Sequence, residues 1–257
     1  MKTALVEQVV HWVLEARHTI VLSGAGISTP SGIPDFRSPQ SGLWQQTDPE
    51  IVASIGGFRR DPKAFYAWIR PLAQKIFRSE PNPAHRALAD LEGAGLVKAV
   101  ITQNIDGLHQ KAGSRRVLEL HGNLRQVTCL RCGCHTPTAA MLDAFLASEE
   151  VPCCPRCGGV MKPDVILYGE LLPADVLREA EEEAAACDLM WVIGSSLTVA
   201  PASLLPQWAI ERGARLVIAN RTPTDLDRRA EAVLRDDVAL TVPAVAEACR
   251  RWAGSRR

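Results

Sequence analysis

Two pairs of cysteines carry the most specific chemical signal in the sequence. Each pair is a C-x2-C motif, and the separation of the pairs is just beyond the usual zinc-ribbon spacing: Cys129 with Cys132, and Cys154 with Cys157. Four thiolates fill the tetrahedral coordination sphere of Zn²⁺ and leave no position for water, so we predict one structural zinc ion. Cys134, Cys153 and His135 lie nearby as alternative ligands, and a redox dithiol or free thiols are competing interpretations.

A glycine-containing turn follows a short apolar segment near the N-terminus. Thr19 to Leu22 predicts a strand, and Gly24-Ala25-Gly26 predicts a turn into a helix N-terminus. Glycines let the backbone approach a ligand closely, and the free N–H groups of a first helical turn attract phosphate. The dinucleotide fingerprint is only half present, because Thr29 replaces its third glycine and no acidic residue ends a second strand. A tight turn without a ligand is the alternative.

Segments that contain polar residues follow four further predicted strands. They are Gln103, Asn104, Ile105 and Asp106 after 96–102, His121 after 117–120, Gly194, Ser195 and Ser196 after 189–193, and Asn220 after 215–219. The carboxyl ends of parallel strands deliver such groups to one ligand site. His121 and His109 are candidates for a general base, and His121, directly after its strand, is the more accessible. A structural histidine, and an Asx turn at Asn104 or Asp106, are the alternatives.

Strand and helix patterns alternate along the chain. Helices are predicted at 3–17, 83–91, 173–186, 201–212 and 242–252, with a broken helical segment at 48–77 that Asp61 and Pro62 restart. A further strand is predicted at 164–167, after the cysteine-containing insertion. This alternation predicts an α/β fold with a doubly wound parallel sheet.

Composition excludes several classes of protein. The 257 residues suffice for one large α/β domain and a small module, and Lys plus Arg and Asp plus Glu both number 29. No overall charge therefore attracts nucleic acid or an anionic membrane. The uncharged segment 189–210 is too polar and too interrupted to span a membrane, and charged residues interrupt any signal peptide. We expect a cytoplasmic monomer with reduced cysteines and no specific nucleic-acid or membrane partner.

Taken in order, these motifs resemble the sirtuin family. The similar segments are G-A-G-I-S at 24–28, G-I-P-D-F-R-S at 32–38, T-Q-N-I-D-G-L-H at 102–109, H-G at 121–122, both C-x2-C pairs, K-P-D-V-I-L-Y-G-E at 162–170, G-S-S-L at 194–197 and Asn220. The resemblance covers essentially the whole chain and implies an NAD⁺-dependent protein lysine deacylase. It implies a Rossmann-like domain at about 1–40, 78–124 and 163–257, with a smaller module made of helices at 41–77 and a zinc ribbon at 125–162.

The resemblance also implies a role for each matching residue. His121 would be the general base, with Asn104 and Asp106 as further catalytic residues. The residues implied to bind NAD⁺ are Gly24, Ala25, Gly26, Asp35, Phe36, Arg37, Gln103, Asn104, Ile105, Asp106, Gly194, Ser195, Ser196 and Asn220. Those implied to bind the acyl-lysine peptide as an added strand are Ile166, Tyr168, Gly169, Glu170 and Val199. NAD⁺ would be consumed, and the products would be nicotinamide, the free amine and O-acyl-ADP-ribose.

One departure bears on the acyl group. Sirtuins that prefer acidic acyl groups carry Tyr-x-x-Arg on the helix after the cofactor loop, where the guanidinium pairs with a carboxylate. Here Ile69 stands three residues after Tyr66, and Arg70 is one position too late to face the same way. We therefore expect neutral acyl groups. Mono-ADP-ribosyl transfer and NAD⁺ hydrolysis share the first step and are the main alternatives; an NAD⁺-sensing zinc module and an oxidoreductase are weaker ones.

Overall fold

A six-stranded parallel sheet forms the centre of the computed structural model, which describes residues 3–35, 48–148 and 150–254. The strands of this sheet and of a second, smaller one are numbered together in chain order. Those of the large sheet are β1 (Thr19–Ser23), β2 (Ala99–Thr102), β3 (Val117–Glu119), β7 (Leu189–Ile193), β8 (Arg215–Ala219) and β9 (Ala232–Leu234). Their spatial order is β3-β2-β1-β7-β8-β9, and every neighbouring pair is parallel. The predicted doubly wound sheet is confirmed, and its order reverses between β1 and β7, where such sheets bind ligands.

Helices cover both faces of this sheet. One face carries α1 (Thr3–Glu15), α5 (Pro83–Gly93) and α10 (Val238–Gly254), and the other carries α8 (Ala174–Ala186) and α9 (Leu205–Glu211). Side chains alternate between the two faces, so Val21 belongs to the first core while Ile20 and Leu22 belong to the second. Among the described residues no helix is long and apolar enough to cross a membrane.

The broken helical segment is confirmed as three helices: α2 (Pro49–Val52), α3 (Ile55–Arg60) and α4 (Pro62–Arg78). Asp61 is the predicted N-cap of α4, since its carboxylate accepts the Ala64 N–H at 3.0 Å. A third apolar core packs α3 and α4 against α7 (Leu142–Ala147) and a second, smaller sheet. Phe58, Phe65 and Tyr66 meet edge to face in that core.

The smaller sheet is antiparallel, with the order β5-β4-β6: β4 (Gly122–Cys129), β5 (His135–Pro137) and β6 (Met161–Val165). The strand predicted at 164–167 therefore lies earlier, as β6, and outside the parallel sheet. It pairs with β4 because the chain returns from the second cysteine pair beside the strand that leads into the first. Pairing of this kind depends on the cysteine-containing loop rather than on the local pattern.

The helix predicted to follow the glycine turn is also different. The chain forms two short 3₁₀ turns, Ala25–Ile27 and Thr29–Ser31, in place of an α-helix. Gly32 ends the second turn with a φ of 85°, and Pro30 lies inside it. The next α-helix of the large sheet, α5, begins at Pro83, and α6 (Leu108–Lys111) is a single turn after β2.

Candidate active site

Two glycine turns cross at the topological switch point between β1 and β7. The Gly26 N–H donates to the Gly194 carbonyl at 2.8 Å. A Cβ on Gly26 would lie 2.7 Å from the Gly194 Cα, and a Cβ on Gly194 would lie 2.2 Å from the Ile27 nitrogen. Gly194 also has a φ of 63°, which disfavours other residues. Glycine is required here because two backbones touch, in addition to any approach of a ligand.

A cleft with a volume of about 530 Å³ lies at the carboxyl ends of the parallel strands. It is lined by most of the residues that the sequence predicted: Gly24, Ala25, Gly26, Asp35, Gln103, Asn104, Ile105, His121, Ile166, Tyr168, Gly169, Glu170, Gly194, Ser195, Ser196, Val199 and Asn220. Asp106 is not among the described residues that line it. Phe36 and Arg37 lie outside the described residues. The structure thus brings together groups from six loops, which follow strands of both sheets.

His121 lies at the cleft with its ring orientation fixed by the backbone. Its Nδ1 is 3.0 Å from the Gln103 carbonyl oxygen. A carbonyl only accepts hydrogen bonds, so Nδ1 carries the proton and Nε2 keeps a lone pair. Burial lowers the pKa of His121 below 6.5, and the Gln103 hydrogen bond opposes that shift only in part. The imidazole is therefore neutral at pH 7 and suited to accept a proton.

Asn104 and Asp106 are joined through Ser28. The Asn104 Nδ2 donates to the Gly24 carbonyl and to the Ser28 hydroxyl, both at 3.1 Å. The Ser28 hydroxyl donates to Asp106 at 2.7 Å, and the Leu108 N–H donates to the same carboxylate at 2.9 Å. The Asx-turn alternative is correct for Asp106, whose pKa is raised by burial. Both Asn104 amide hydrogens are engaged, so its Oδ1 is the atom left for another partner.

Two neutral histidines lie behind this network. His109 is buried and hydrogen-bonds the Ser23 hydroxyl at 2.8 Å, while His85 lies 3.4 Å from the Ser28 hydroxyl. Their ring centroids are 4.9 Å apart. Burial lowers the pKa of His85 to about 4 and that of His109 well below its ordinary value. His109, the other histidine considered as a base, is thus inaccessible, and His121 is the one that reaches the cleft.

The two sides of the switch point are linked by a side-chain bond. The Gln103 amide donates to the Ser195 hydroxyl at 2.9 Å, and the Leu197 N–H donates to the same hydroxyl at 3.3 Å. Ser195 is 4% exposed. The turns after β2 and β7 are therefore held in fixed relation across the cleft, before any ligand binds.

The segment after β6 forms another wall and is fixed by a buried lysine. The Lys162 Nζ donates to the Val165 carbonyl at 2.8 Å and pairs with Glu170 at 2.9 Å. The Ile166 N–H donates to the His121 carbonyl at 2.9 Å. Lys162 therefore shapes the turn that contains Tyr168, Gly169 and Glu170, a role that its sequence context did not indicate.

One face of α4 lines the cleft with four apolar side chains, of which only Ile69 was connected with the acyl group from the sequence: Phe65, Trp68, Ile69 and Leu72. Their i, i+3, i+4, i+7 spacing was the available signal, but it does not distinguish a cleft from a core. Arg70 points away, as predicted, since its Nε donates to the Phe145 carbonyl at 2.9 Å. The Tyr66 hydroxyl donates to the Met161 carbonyl at 2.7 Å.

The opposite end of the cleft is polar. Arg221, Thr222, Asp237 and Val238 line it beside the predicted Asn220. Asp237 follows β9, a three-residue strand that the sequence pattern did not reveal. Asp237 therefore places a carboxylate at this end of the cleft. It follows the strand at the far edge of the sheet, whereas the acidic residue of the dinucleotide fingerprint ends the second strand of the motif.

The four predicted zinc ligands come together in the small sheet. The Sγ atoms of Cys129, Cys132, Cys154 and Cys157 all lie within 4.8 Å of one another. The Cys129–Cys157 and Cys132–Cys154 sulfur separations are 3.5 and 3.8 Å. A tetrahedral site with Zn–S bonds of about 2.3 Å has edges of about 3.8 Å, so the four sulfurs fit one zinc ion.

The alternative ligands are directed elsewhere. Cys134 Sγ lies 3.7 Å from the His135 carbonyl, and Cys153 Sγ lies 3.5 Å from the Val151 carbonyl. The N–H groups of Arg131 and Gly159 each lie 3.4 Å from a sulfur of the cluster. Such bonds stabilise thiolates and orient them towards a metal.

A Rossmann-like sheet, a cleft at its switch point and a four-cysteine module define the class of NAD-dependent enzymes with a structural zinc site. A sequence profile described as the Sir2 family matches residues 24–201. The chain belongs to this family. An NAD-dependent protein deacetylase 1 of Geobacillus kaustophilus is 47% identical over 223 residues, which are 87% of this chain and 89% of that relative.

Solved structures agree. A structure described for the mechanism and regulation of Sir2 enzymes matches with a TM-score of 0.91 at 44% identity, and covers 97% of this chain and 99% of its own. A structure of Sir2Tm bound to a propionylated peptide matches with a TM-score of 0.83 at 39% identity, and covers 100% of this chain and 99% of its own.

Proposed function

We propose that this protein removes neutral acyl groups from protein lysine side chains, and that the reaction takes place in the cleft that contains His121. The chain is an NAD-dependent protein deacylase, in agreement with its relatives. The observation that carries the proposal is one cleft in which a neutral His121 and the crossed glycine turns lie opposite an apolar face of α4. NAD⁺ supplies the ADP-ribose that accepts the acyl group and is consumed.

His121 is proposed as the general base that removes a proton from a ribose hydroxyl. The orientation of the ring, and with it the direction of the Nε2 lone pair, is fixed because Nδ1 donates to the Gln103 carbonyl at 3.0 Å. Asn104 is proposed to contact the nicotinamide ribose through Oδ1. Asp106 lies behind Asn104, and the Ser28 bridge supports a positioning role for its carboxylate rather than direct contact.

The dinucleotide is proposed to run along the edge of the sheet, across the switch point. Its phosphates would lie against the crossed turns, with Ser195 and Ser196 as hydroxyl donors. The reacting ribose would lie on the β2–β3 side with His121, and the adenosine on the β8 side with Asn220. Phe36 and Arg37, which lie outside the described residues, are proposed by resemblance alone to border the pyrophosphate and the nicotinamide ribose.

The acyl-lysine peptide is proposed to lie as an added strand between the segment after β6 and Val199. Ile166, Tyr168, Gly169 and Glu170 line the same cleft as Val199, which supports this placement. Lys162 and Glu170 hold the segment in shape, so its backbone groups are in position before the peptide arrives.

Neutral acyl groups are proposed because the α4 face is apolar and Arg70 is turned away. Phe65, Trp68 and Ile69 line the cleft, while the Arg70 guanidinium stacks 5.1 Å from the centre of the Phe145 ring. The carboxylate of an acidic acyl group would lie against this apolar face with no cation to pair with, and it would lose its hydration. Sir2Tm, a similar chain, has been solved bound to a propionylated peptide, whose acyl group is neutral.

The module boundaries, a monomeric state and a cytoplasmic location belong to the same proposal. Separate apolar cores support the division, since α3 and α4 pack with the small sheet rather than with the six-stranded one. Cys129, Cys132, Cys154 and Cys157 would hold one zinc ion, whose filled coordination sphere supplies structure and no chemistry.

Mass spectrometry of the purified protein incubated with NAD⁺ and a modified peptide tests the function. With an acetyl-lysine peptide we expect free peptide amine and O-acetyl-ADP-ribose together, and with the matched succinyl peptide much less of both. Free ADP-ribose with untouched peptide would favour NAD⁺ hydrolysis, and ADP-ribosylated protein would favour transfer. A strong succinyl preference would contradict the apolar acyl site.

A further inference from the structure

An ion pair between Arg221 and Asp237 lies in the cleft wall, at the end opposite His121. Both residues line the cleft, and the guanidinium contacts the carboxylate directly. Arg221 follows β8 and Asp237 follows β9, whereas His121 follows β3 at the other edge of the sheet. The pair therefore borders the part of the cleft that is farthest from the reacting ribose.

Asp237 is the fixed member of the pair. Its Oδ1 accepts the Ala239 N–H at 2.8 Å and caps the first turn of α10, while Oδ2 contacts Arg221. The Asp237 side chain is 30% exposed and the Arg221 side chain 65%. The helix holds the carboxylate, and the carboxylate holds the longer and more exposed guanidinium.

The loop beside the pair is also formed in advance. Arg235 Nη1 donates to the carbonyls of Asn220 and Thr222, each at 2.8 Å, and the same guanidinium pairs with Asp227. The Asn220 Nδ2 donates to the Thr222 carbonyl at 2.9 Å. Arg235 is thus committed to the loop, and Arg221 is the guanidinium that lines the cleft.

We propose that the Asp237–Arg221 pair selects NAD⁺ against NADP⁺. The inference rests on the proposed function, which places the adenosine ribose at this end of the cleft. A carboxylate accepts hydrogen bonds from ribose hydroxyls, whereas an arginine accommodates a 2′-phosphate. Here the carboxylate would repel that phosphate and also occupies the one guanidinium in the described cleft wall that would bind it.

The variant Asp237→Asn tests this with little disturbance of the fold. Asparagine is as good an N-cap as aspartate, so its amide oxygen still accepts the Ala239 N–H. Dissociation constants for NAD⁺ and for NADP⁺ are measured by calorimetry without peptide, at one ionic strength. The wild type should prefer NAD⁺. Asp237→Asn should reduce that preference about tenfold or more, mainly through tighter binding of NADP⁺.

Two further variants sharpen the result. Adding Arg221→Met to Asp237→Asn should remove the gain, because the phosphate then loses its cation. Asp90→Asn is the matched control, because it changes the net charge by the same amount. Asp90, on α5, pairs with Arg250, on α10, at 2.6 Å and does not line the cleft, so the preference for NAD⁺ over NADP⁺ should stay that of the wild type.

Three outcomes would overturn the inference: a wild type that binds both dinucleotides equally, an unchanged preference in Asp237→Asn, or a gain that survives Arg221→Met. NADP⁺ that is bound by Asp237→Asn but is not displaced by NAD⁺ would overturn it too, since the two would then occupy different sites. Deacylation of an acetyl peptide with NAD⁺ is measured on the same preparations. Its absence in the wild type counts against the proposed function, whereas intact deacylation with an unchanged preference counts only against this pair.

Discussion

At the scale of single residues, the environment of His121 accounts for its proposed role better than its identity does. The Gln103 carbonyl fixes the tautomer, and burial keeps the ring neutral. Three other histidines, His18, His85 and His109, are bound to Glu183, Ser28 and Ser23 and do not line the cleft in the part of the chain that the structure describes. Its position at the end of β3, with Nε2 unprotonated, suits His121 to the proposed role of a base.

The pH dependence follows from this environment. The neutral imidazole is the active form, so activity is complete above the pKa of His121 and is lost as the pH falls through it. Since burial lowers that pKa, the acidic limb of kcat/KM should lie below 6.5. Initial rates at low substrate across pH 4.5 to about 8 measure it. An acidic limb centred above 6.5 would contradict the assignment.

We expect one position to decide the acyl preference as well. Ile69→Arg places a cation on the face of α4 that lines the cleft, where it can pair with an acyl carboxylate. We expect the ratio of kcat/KM for succinyl over acetyl peptides to rise about tenfold or more, which corresponds to about 1.4 kcal/mol. Ile69→Met, which keeps the wall apolar, is the control. If both variants give the wild-type ratio, Ile69 does not border the acyl group.

At the scale of elements, the crossing of the two glycine turns holds the halves of the sheet in register at the cleft. Ser23 and Ile193 end neighbouring strands, and the turns after them touch through the Gly26–Gly194 hydrogen bond. The same contact fixes where Ser195 meets Gln103 across the switch point. We therefore expect stability and the proposed dinucleotide binding to depend on the same backbone contact.

Two glycine substitutions separate steric clash from backbone strain. Gly194 and Gly213 both have a positive φ, but an added Cβ clashes only at Gly194. Gly213→Ala should cost about 1 kcal/mol of unfolding free energy and leave NAD⁺ affinity unchanged. Gly194→Ala should cost about 1–3 kcal/mol more and weaken NAD⁺ binding. Urea unfolding and calorimetry measure both quantities, and equal effects of the two variants would disprove the crossing as the cause.

At the scale of the whole molecule, the zinc module and the large sheet meet at the cleft. β4 begins directly after His121, and β6 leads into the segment that holds Tyr168 and Glu170. The four cysteines lie at the other end of these strands, away from the residues that line the cleft. We therefore infer that a bound metal would act through β4 and β6, by keeping His121 and the proposed peptide-binding segment in place.

Removal of zinc should lower activity through structure. Cys157→Ser leaves three thiolates, and we expect a lower unfolding temperature, loss of bound zinc and loss of deacylation. Cys153→Ser, whose side chain lies outside the cluster, is the matched control and should retain all three. Metal content by mass spectrometry and thermal unfolding provide the measurements. Full activity of a zinc-free Cys157→Ser protein would contradict a structural role for the metal.

The sequence predicted the parts of the molecule that local patterns determine. The bounds of β7 and β8 are as predicted, since each is a continuous apolar run, and the cysteine pairs converge as their spacing indicated. It did not predict β9, because the three residues Ala232–Leu234 lie between charged residues and follow no strand pattern, and so it missed Asp237. The antiparallel pairing of β6 was missed because it joins segments distant in the chain. The 3₁₀ turns after Gly24 differ from the expected helix because Pro30 and Gly32 interrupt it.

The central claim is that His121 acts as the base of acyl transfer to ADP-ribose in this cleft. We would measure nicotinamide release and O-acetyl-ADP-ribose formation for the wild type and for His121→Gln, with NAD⁺ and an acetyl-lysine peptide in excess. The wild type should form both products in equal amounts. His121→Gln should lose O-acetyl-ADP-ribose formation by about 10²- to 10⁴-fold while its NAD⁺ affinity stays close to that of the wild type. Unchanged turnover in His121→Gln would contradict the account.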